Sequence, residues 1–411
     1  MELISKALEA VRRYPLCDSC LGRLFALMGY GIENRERGQA IKTILHMAAV
    51  SDYRKGKDVT ADLIALAKCH LPTRRFLAGV GIRVDEERCY ICGDLMEGVE
   101  KYAEMAVEQL RGLDFVSFAV GSTLPEELLE KEAEVVKSLL VTTGESVKHE
   151  VNRRIGKELL RRLSDKRVDK LRPNVVVNVD LVSGQVKVVR NPILIGGRYL
   201  KLGRKIAQAK RFGNVRTTLL EKLAYLRDTF GGEDHVIHVS GREDSDARML
   251  GSGRPLVVEV KQPLRYTAQV APFRDKDVIF LPVGFTDRNE VRRLKEKAKT
   301  DIKLYRVLVL SESPLKQDDL SKLSALSGAT VTQYTPRRIK RLHPRKKRVR
   351  MVYDVAWRLV SPHVFELYIR CQGGLYVKEF VHGDGGRTAP NVAELLNTRL
   401  EVLELDVLYI E

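Results

Sequence analysis

Leu3, Ile4, Ala7, Leu8 and Val11 share one face at the 3.6-residue period, which predicts an amphipathic helix at the start of the chain. Helical spacing then dominates the first hundred positions. Asn34, a good N-cap, precedes a helix expected over 36–49, and another is expected over 61–69. Val99, Tyr102, Ala103, Ala106, Val107 and Leu110 keep the period until Gly112 closes it. Strands enter next: 115–120 reads as one, followed by a charged helix from Pro125 to about 139 and a basic helix over 147–163. Beyond Pro173, two alternating runs flank Ser183-Gly184, the signature of a hairpin. Helices interleaved with a few strands imply a compact α/β module.

The second half is richer in strands. Residues 191–212, with Pro192, several glycines and many Lys and Arg, read as a basic connector. A helix from Val215, carrying Leu219, Leu220, Leu223 and Leu226, leads to strands expected over 235–239 and 256–260. A strand over 278–283, a basic helix over 287–299 and a buried strand over 302–310 follow. Residues 351–360 and 364–371 form an expected hairpin turned at Ser361-Pro362-His363, and a last strand covers 402–410. Three domains are expected, over 1–97, 98–200 and 205–411.

Composition narrows the class. With 411 residues and 44% apolar content the chain can bury substantial cores. No apolar run approaches the roughly 18–20 residues of a membrane span. The first segment lacks the basic start, apolar centre and cleavage site of a signal peptide, so a cytoplasmic protein without membrane association is expected. A monomer is expected as well. Lys and Arg outnumber Asp and Glu by 71 to 54, a formal charge of +17, which points to a polyanionic partner and first of all to nucleic acid. Nine Lys and Arg in the sixteen residues of 335–350, broken by two prolines, suit a loop that contacts phosphates. No phosphate-binding G-x-x-x-x-G-K-[ST], H-E-x-x-H or G-x-S-x-G occurs.

Four of six cysteines form two pairs, Cys17-Asp-Ser-Cys20 and Cys89-Tyr-Ile-Cys92. In a cytosolic chain such pairs read as four thiolates around one tetrahedral zinc, against the alternatives of a redox pair or unrelated thiols. Four cysteines fill the coordination sphere, so this Zn2+ is expected to be structural. The 68 residues between Cys20 and Cys89 imply a helical insert separating two knuckles. Cys69 and Cys371 stand alone and read as core thiols.

One stretch concentrates candidate chemistry. Residues 241–255, G-R-E-D-S-D-A-R-M-L-G-S-G-R-P, hold Glu243, Asp244 and Asp246 among Arg242, Arg248 and Arg254, between two apolar strands. By itself such a loop reads more readily as a salt-bridged surface turn. Two further stretches decide the matter. G-R-E-D at 241–244 resembles the loop that carries the catalytic aspartate of pseudouridine synthases. K-L-Y-R at 303–306 resembles their tyrosine strand, and G-L-Y-V-K at 374–378 their third motif. The longer signature at 241–255, the Q-x-T-P-x-R element from Gln333 to Arg338, K-E-F-V-H-G-D-x-G-R-T and the two cysteine pairs together resemble the archaeal and eukaryotic tRNA pseudouridine synthases that act on uridines 54 and 55 of the TΨC arm. Leu375 stands where that family commonly has Thr, and the connector lacks a Pro and a Trp often found there.

The resemblance implies an α+β fold: a pseudouridine synthase catalytic domain with a mixed, largely antiparallel sheet and helices, preceded by a zinc-binding helical module and a THUMP-like α/β RNA-binding domain. It implies that Asp244 acts at the ribose as nucleophile or base and that Lys378 is its basic partner. Tyr305 would stack on the extruded uracil and assist loss of the C5 proton, Tyr376 would line the same pocket, and Arg242 would hold phosphate or wedge into the opened arm. Glu243 and Asp246 are expected to fix the loop by pairing with Arg242, Arg248 or Arg254. The reaction is an isomerisation, so no redox or nucleotide cofactor is expected, and the partner is tRNA. A catalytically silent tRNA-binding protein or chaperone on the same fold is the alternative. A zinc deaminase does not fit, because His149-Glu150 is not the H-x-E arrangement and the cysteines saturate the metal.

Overall fold

The structure, a computed structural model, describes residues 2–209, 215–297, 300–339 and 346–411. The chain falls into two compact units, Met1–Asn191 and Pro192–Glu411.

The first unit begins with five helices: α1 (Glu2–Arg13), α2 (Asp18–Arg23), α3 (Asn34–Arg54), α4 (Thr60–Ala67) and α5 (Leu71–Gly79). The N-cap of α3 is Glu33 rather than Asn34, closed by a capping box in which the Glu33 N–H donates to Glu36 at 3.2 Å. Asn34 is spent elsewhere. Its amide donates to Glu145 at 2.7 Å and its oxygen accepts from Arg37 at 2.6 Å, so it is a buried tie between segments. Helices α2 and α3 touch through their backbones. A Cβ on Gly22 would lie 1.8 Å from the Asn34 carbonyl, and one on Gly38 1.8 Å from that of Asp18.

The remainder of the unit runs α6 (Lys101–Leu110), β1 (Ser117–Thr123), α7 (Glu126–Ser138), α8 (Val147–Arg162), β2 (Arg167–Val168), β3 (Val175–Asp180) and β4 (Gln185–Arg190). The sheet order is β2-β1-β3-β4, with β1 parallel to β2 and β3, and β3 antiparallel to β4. Helix α8 starts at Ser146, whose hydroxyl accepts from the His149 N–H, and buries Val147, Val151, Ile155 and Leu159 at the i, i+4 spacing its sequence shows. The expected hairpin is β3–β4.

The second unit contains β5 (Ile193–Lys201), β6 (Ile206–Ala207), β7 (Thr217–Thr218), α9 (Leu219–Lys222), α10 (Ala224–Phe230), β8 (Asp234–Val239), β9 (Arg248–Lys261), β10 (Phe273–Arg274) and β11 (Val278–Phe285). It continues with α11 (Arg288–Lys297), β12 (Ile302–Ser311), α12 (Gln317–Ser321), β13 (Thr330–Tyr334), β14 (Lys347–Ser361), β15 (Val364–Gln372), α13 (Val377–His382), β16 (Thr388–Ala389), α14 (Val392–Leu395) and β17 (Leu400–Ile410). Among the described residues an eleven-stranded sheet runs β10-β11-β5-β9-β17-β12-β15-β14-β13-β16, with β8 also on β9. Every pairing is antiparallel except β17 on β9. The mixed, largely antiparallel sheet expected for the catalytic domain is the one observed.

Three segments depart from the sequence reading. Residues 193–201 are a central strand, not a connector, because Ile193, Ile195 and Tyr199 alternate inward against β9 and β11. The junction therefore precedes residue 193, instead of lying between 200 and 205. Thr217 and Thr218 pair with 206–207, and the helix expected from Val215 is the broken pair α9 and α10, started by a capping box at Thr218. The polar stretch 241–255 is loop only as far as Ala247, since β9 begins at Arg248. Part of the connector (210–212), the end of the basic helix (298–299) and part of the basic run (340–345) lie outside the described residues.

Gly251 explains why that signature needs its glycines. Its φ is +55°, and a Cβ there would lie 1.8 Å from the Leu408 carbonyl on β17. Gly251→Ala is expected to cost at least about 2 kcal/mol, from backbone strain and displacement of β17, as read by urea unfolding.

Candidate active site

A cleft of about 840 Å³ opens in the second unit over the 240–247 loop. Arg242, Asp244, Tyr305, Tyr376 and Lys378 all line it, so residues separated by up to 136 positions in sequence meet at one place.

The carboxylates divide in an orderly way. Asp244 points into the cleft between two cations: Arg338 approaches both of its oxygens, at 3.2 and 3.1 Å, and Lys378 lies 3.4 Å away. Lys378 bonds more closely to Asp246, at 2.9 and 2.7 Å. Asp246 thus pairs with Lys378 rather than with an arginine of its own loop, and it bridges the loop to α13. Burial raises the Asp246 pKa, but the Lys378 hydrogen bond and charge overcome that and hold it below the ordinary carboxylate value. Arg248 instead clasps Asp406 with two bonds of 2.7 Å.

Glu243 points the other way, into the protein. Its side chain forms an ion pair with Arg254 at 2.9 Å, accepts from the Tyr199 hydroxyl at 2.8 and 2.9 Å, and lies 3.6 Å from Lys201. Burial works against its charge, and the Arg254 and Lys201 cations together bring its pKa below the ordinary value. This cluster also holds the loop backbone. Arg254 donates to the Ser240 carbonyl at 2.6 Å, and Lys201 donates to the carbonyl of Asp244 itself at 2.9 Å. A buried charge network under the loop fixes where the Asp244 carboxylate stands.

Tyr305 lies on β12 where the two main apolar clusters of the unit meet, and burial pushes its hydroxyl pKa up. At neutral pH it is a phenol, so it presents an aromatic face and a hydrogen-bond donor. Tyr376 precedes α13 and is pinned by Gln333, which is fully buried: the Tyr376 N–H donates to the Gln333 oxygen at 2.8 Å, and the Gln333 amide returns a bond of 2.9 Å. Arg348 covers the Tyr376 ring at 4.8 Å. Arg242 is exposed at the rim.

Arg338, the last residue of the 333–338 element, carries no role that its sequence context announces. Its guanidinium forks between Asp244 and Glu379, the latter at 2.8 Å. Gln333, at the start of that element, likewise carries no role that its sequence context announces. Arg348 and Lys303, which also line the cleft, carried no signal beyond their positions in a basic run and beside Tyr305.

In the first unit the Sγ atoms of Cys17, Cys20, Cys89 and Cys92 lie within 4.8 Å of one another. Cys17 and Cys92 stand 3.7 Å apart, close to the roughly 3.8 Å edge of a tetrahedron with 2.3 Å metal–sulfur bonds. The Cys20 N–H donates to the Cys17 sulfur, and the second knuckle turns through Gly93 and Asp94, both at positive φ. Four largely buried sulfurs converging on one point fit a tetrahedral metal ion. Cys69 is half-buried and Cys371 buried, both outside this cluster. No described helix is long and apolar enough to cross a membrane.

Comparison with known proteins adds relatives over the whole length. Residues 194–411 match the family described as Pus10, C-terminal, and 102–180 match Pus10 THUMP domain, archaeal. A tRNA pseudouridine synthase Pus10 of Thermosphaera aggregans is 36% identical, over 100% of this chain and 97% of its own. The protein of that name from Methanothrix thermoacetophila is also 36% identical, over 99% and 94%. A crystal structure of a Cbf5-Nop10-Gar1 complex is 13% identical, covers 51% of this chain and 47% of its own, and has a TM-score of 0.31, too low to add to the assignment. On the strength of the full-length relatives and the two matched domains, the chain belongs to the Pus10 family of tRNA pseudouridine synthases.

Proposed function

We propose that the protein isomerises uridine 54, uridine 55 or both in the TΨC arm of tRNA to pseudouridine, with Asp244 acting at the ribose. The observation that carries this reading is the Asp244 carboxylate, set between Arg338 and Lys378 in a cleft that also holds Tyr305. The two cations flank the carboxylate and hold it where it can act at C1′. The N1–C1′ bond breaks with its electron pair leaving on the uracil, the base turns, and C5 bonds to C1′. C5 then loses its proton, N1 gains one, and the atoms of uridine and pseudouridine balance without oxidant or nucleotide. Tyr305 supplies a stacking face that offsets part of the few kcal/mol of base extrusion. As a neutral phenol it is a poor acceptor for the C5 proton, so its role is stacking and donation. Tyr376, held by Gln333, walls the pocket, and Arg242 at the rim meets backbone phosphate. The experiment is to treat an unmodified tRNA transcript with the protein and map pseudouridine. Conversion at 54 or 55 supports the reading, whereas tight binding without conversion at either position would favour a silent tRNA-binding protein.

The first unit serves tRNA docking in this reading. A helical module over 1–97 carries the four-cysteine site, which suits Zn2+ held for structure, and the THUMP-type part beginning near residue 98 reads tRNA shape and phosphates. The chain acts in the cytoplasm as a monomer. Cys89→Ser is expected to remove about one equivalent of bound zinc and to lower the melting temperature of the first unit by on the order of 10 °C. Metal analysis and calorimetry measure both. Unchanged zinc content would discard the four-cysteine assignment.

A further inference from the structure

Beneath the catalytic loop the buried charges do not balance. Lys201, Arg254 and Lys303 face Glu243 and Asp301, three cations against two carboxylates, and every one of these residues is at most 8% exposed. Lys201 and Arg254 are consumed by Glu243 and by loop carbonyls. Asp301 accepts from the Ser240 hydroxyl at 2.9 Å. Lys303 is the residue left over. It is 4% exposed, lines the cleft, and forms no hydrogen bond or ion pair among the described residues. Its ammonium lies 3.2 Å from where a Cβ on Gly241 would be, so the loop arches directly over it, and Gly241 is the residue that leaves it room.

A buried cation without a partner is costly, and it persists where a ligand completes it. On β12, Lys303 and Tyr305 alternate onto the same face, about 7 Å apart along the strand. A base stacked on Tyr305 brings the edge of its ring within reach of this ammonium. Arg242, exposed at the rim, is the residue that meets phosphate in the reading above. We propose that Lys303 is a further catalytic residue, donating from the floor of the cleft to a carbonyl oxygen of the extruded uracil and stabilising the negative charge that the base carries while its N1–C1′ bond is broken. The inference rests on the pseudouridine-forming reading above.

The electrostatics have a consequence in pH. Burial, and after it the Arg254 charge, push Lys303 down to about 8, against the opposing pull of Asp301, Cys371 and Glu243. Those groups face it from β9, from the loop, from the start of its own strand and from β15, where Cys371 is its ladder partner. Lys303 is charged below that value and neutral above it, so the charge that serves the reaction is present at pH 7 and lost as pH rises through 8.

The test is single-turnover conversion at saturating tRNA from pH 7 to 9, with tRNA affinity measured alongside. Wild type is expected to slow about tenfold across that range. Lys303→Met should be slower at pH 7 by roughly 10²–10³-fold, with a flat profile and tRNA affinity within about twofold of wild type. Lys303→Arg should keep most of the rate and move the decline above pH 9. The wild-type profile and the arginine variant serve if the methionine variant fails to fold. A wild-type rate that does not fall, or the same fall persisting in Lys303→Met, overturns the proposal. So does a Lys303→Met effect confined to affinity, which would make the lysine a phosphate anchor. Wild-type inactivity on tRNA would instead sink the underlying reading.

Discussion

Asp244→Asn should reduce single-turnover conversion of uridine by on the order of 10⁴-fold or more, the loss seen when one member of a catalytic set is removed, while tRNA stays bound. The amide keeps the size of the carboxylate and leaves the Lys201 bond to the residue 244 carbonyl untouched, so the loop stays in place. What goes is the negative charge between Arg338 and Lys378. Those cations then face the cleft without their carboxylate, which favours an anionic ligand, so affinity for tRNA should be equal or slightly higher. Tritium at C5 of uridine is released when C5, once bonded to C1′, loses its hydrogen, and it therefore reports the chemistry directly. Tritium release from the variant at near wild-type rate would remove Asp244 from the reaction.

Arg254→Met should cost stability rather than chemistry, by about 3–5 kcal/mol, because it leaves Glu243 buried without its closest cation. Lys201, at 3.6 Å, is then its nearest cation, and the bond to the Ser240 carbonyl is lost as well. The same pair gives a pH signature. Glu243 is held below its ordinary value in the folded protein, so its contribution is fully present above about pH 4.3, the unfolded carboxylate value. It is lost as pH falls through the folded value. Wild type should therefore lose stability on acidification, and Arg254→Met should lose less, since its Glu243 has a smaller downward shift. Urea unfolding at pH 7 and pH 4 measures both differences. An Arg254→Met protein as stable as wild type at pH 7 would contradict the network.

Helices whose apolar faces repeat locally, such as α8, and strands as regular as β12 were legible because one element's own residues decide them. The first strand of the second unit was not: β5 carries two glycines and two basic residues, and its strand state comes from β9 and β11 on either side. The N-cap of α3 was misplaced for a related reason, since Asn34 has the right chemistry but its oxygen and amide are engaged by Arg37 and Glu145, the latter 111 residues away. At the site, the resemblance to pseudouridine synthases pointed to Asp244, Tyr305, Tyr376 and Lys378, and the fold brings them into one cleft. Which carboxylate meets which cation is a property of tertiary geometry. No spacing rule separates Asp244, shared between Arg338 and Lys378, from Asp246, which takes the closer half of the lysine, or marks Lys303 as the cation left unmatched.

Strand β17 lies between β9 and β12 at the middle of the large sheet, and its Asp406 receives Arg204, Arg248 and Arg306. On a ribosome it is made after every strand it joins. Until it emerges, the nascent second unit consists of two half-sheets with open edges and has no clasp for Arg248. The large sheet therefore closes only once β17 has been made, after both of the strands it joins.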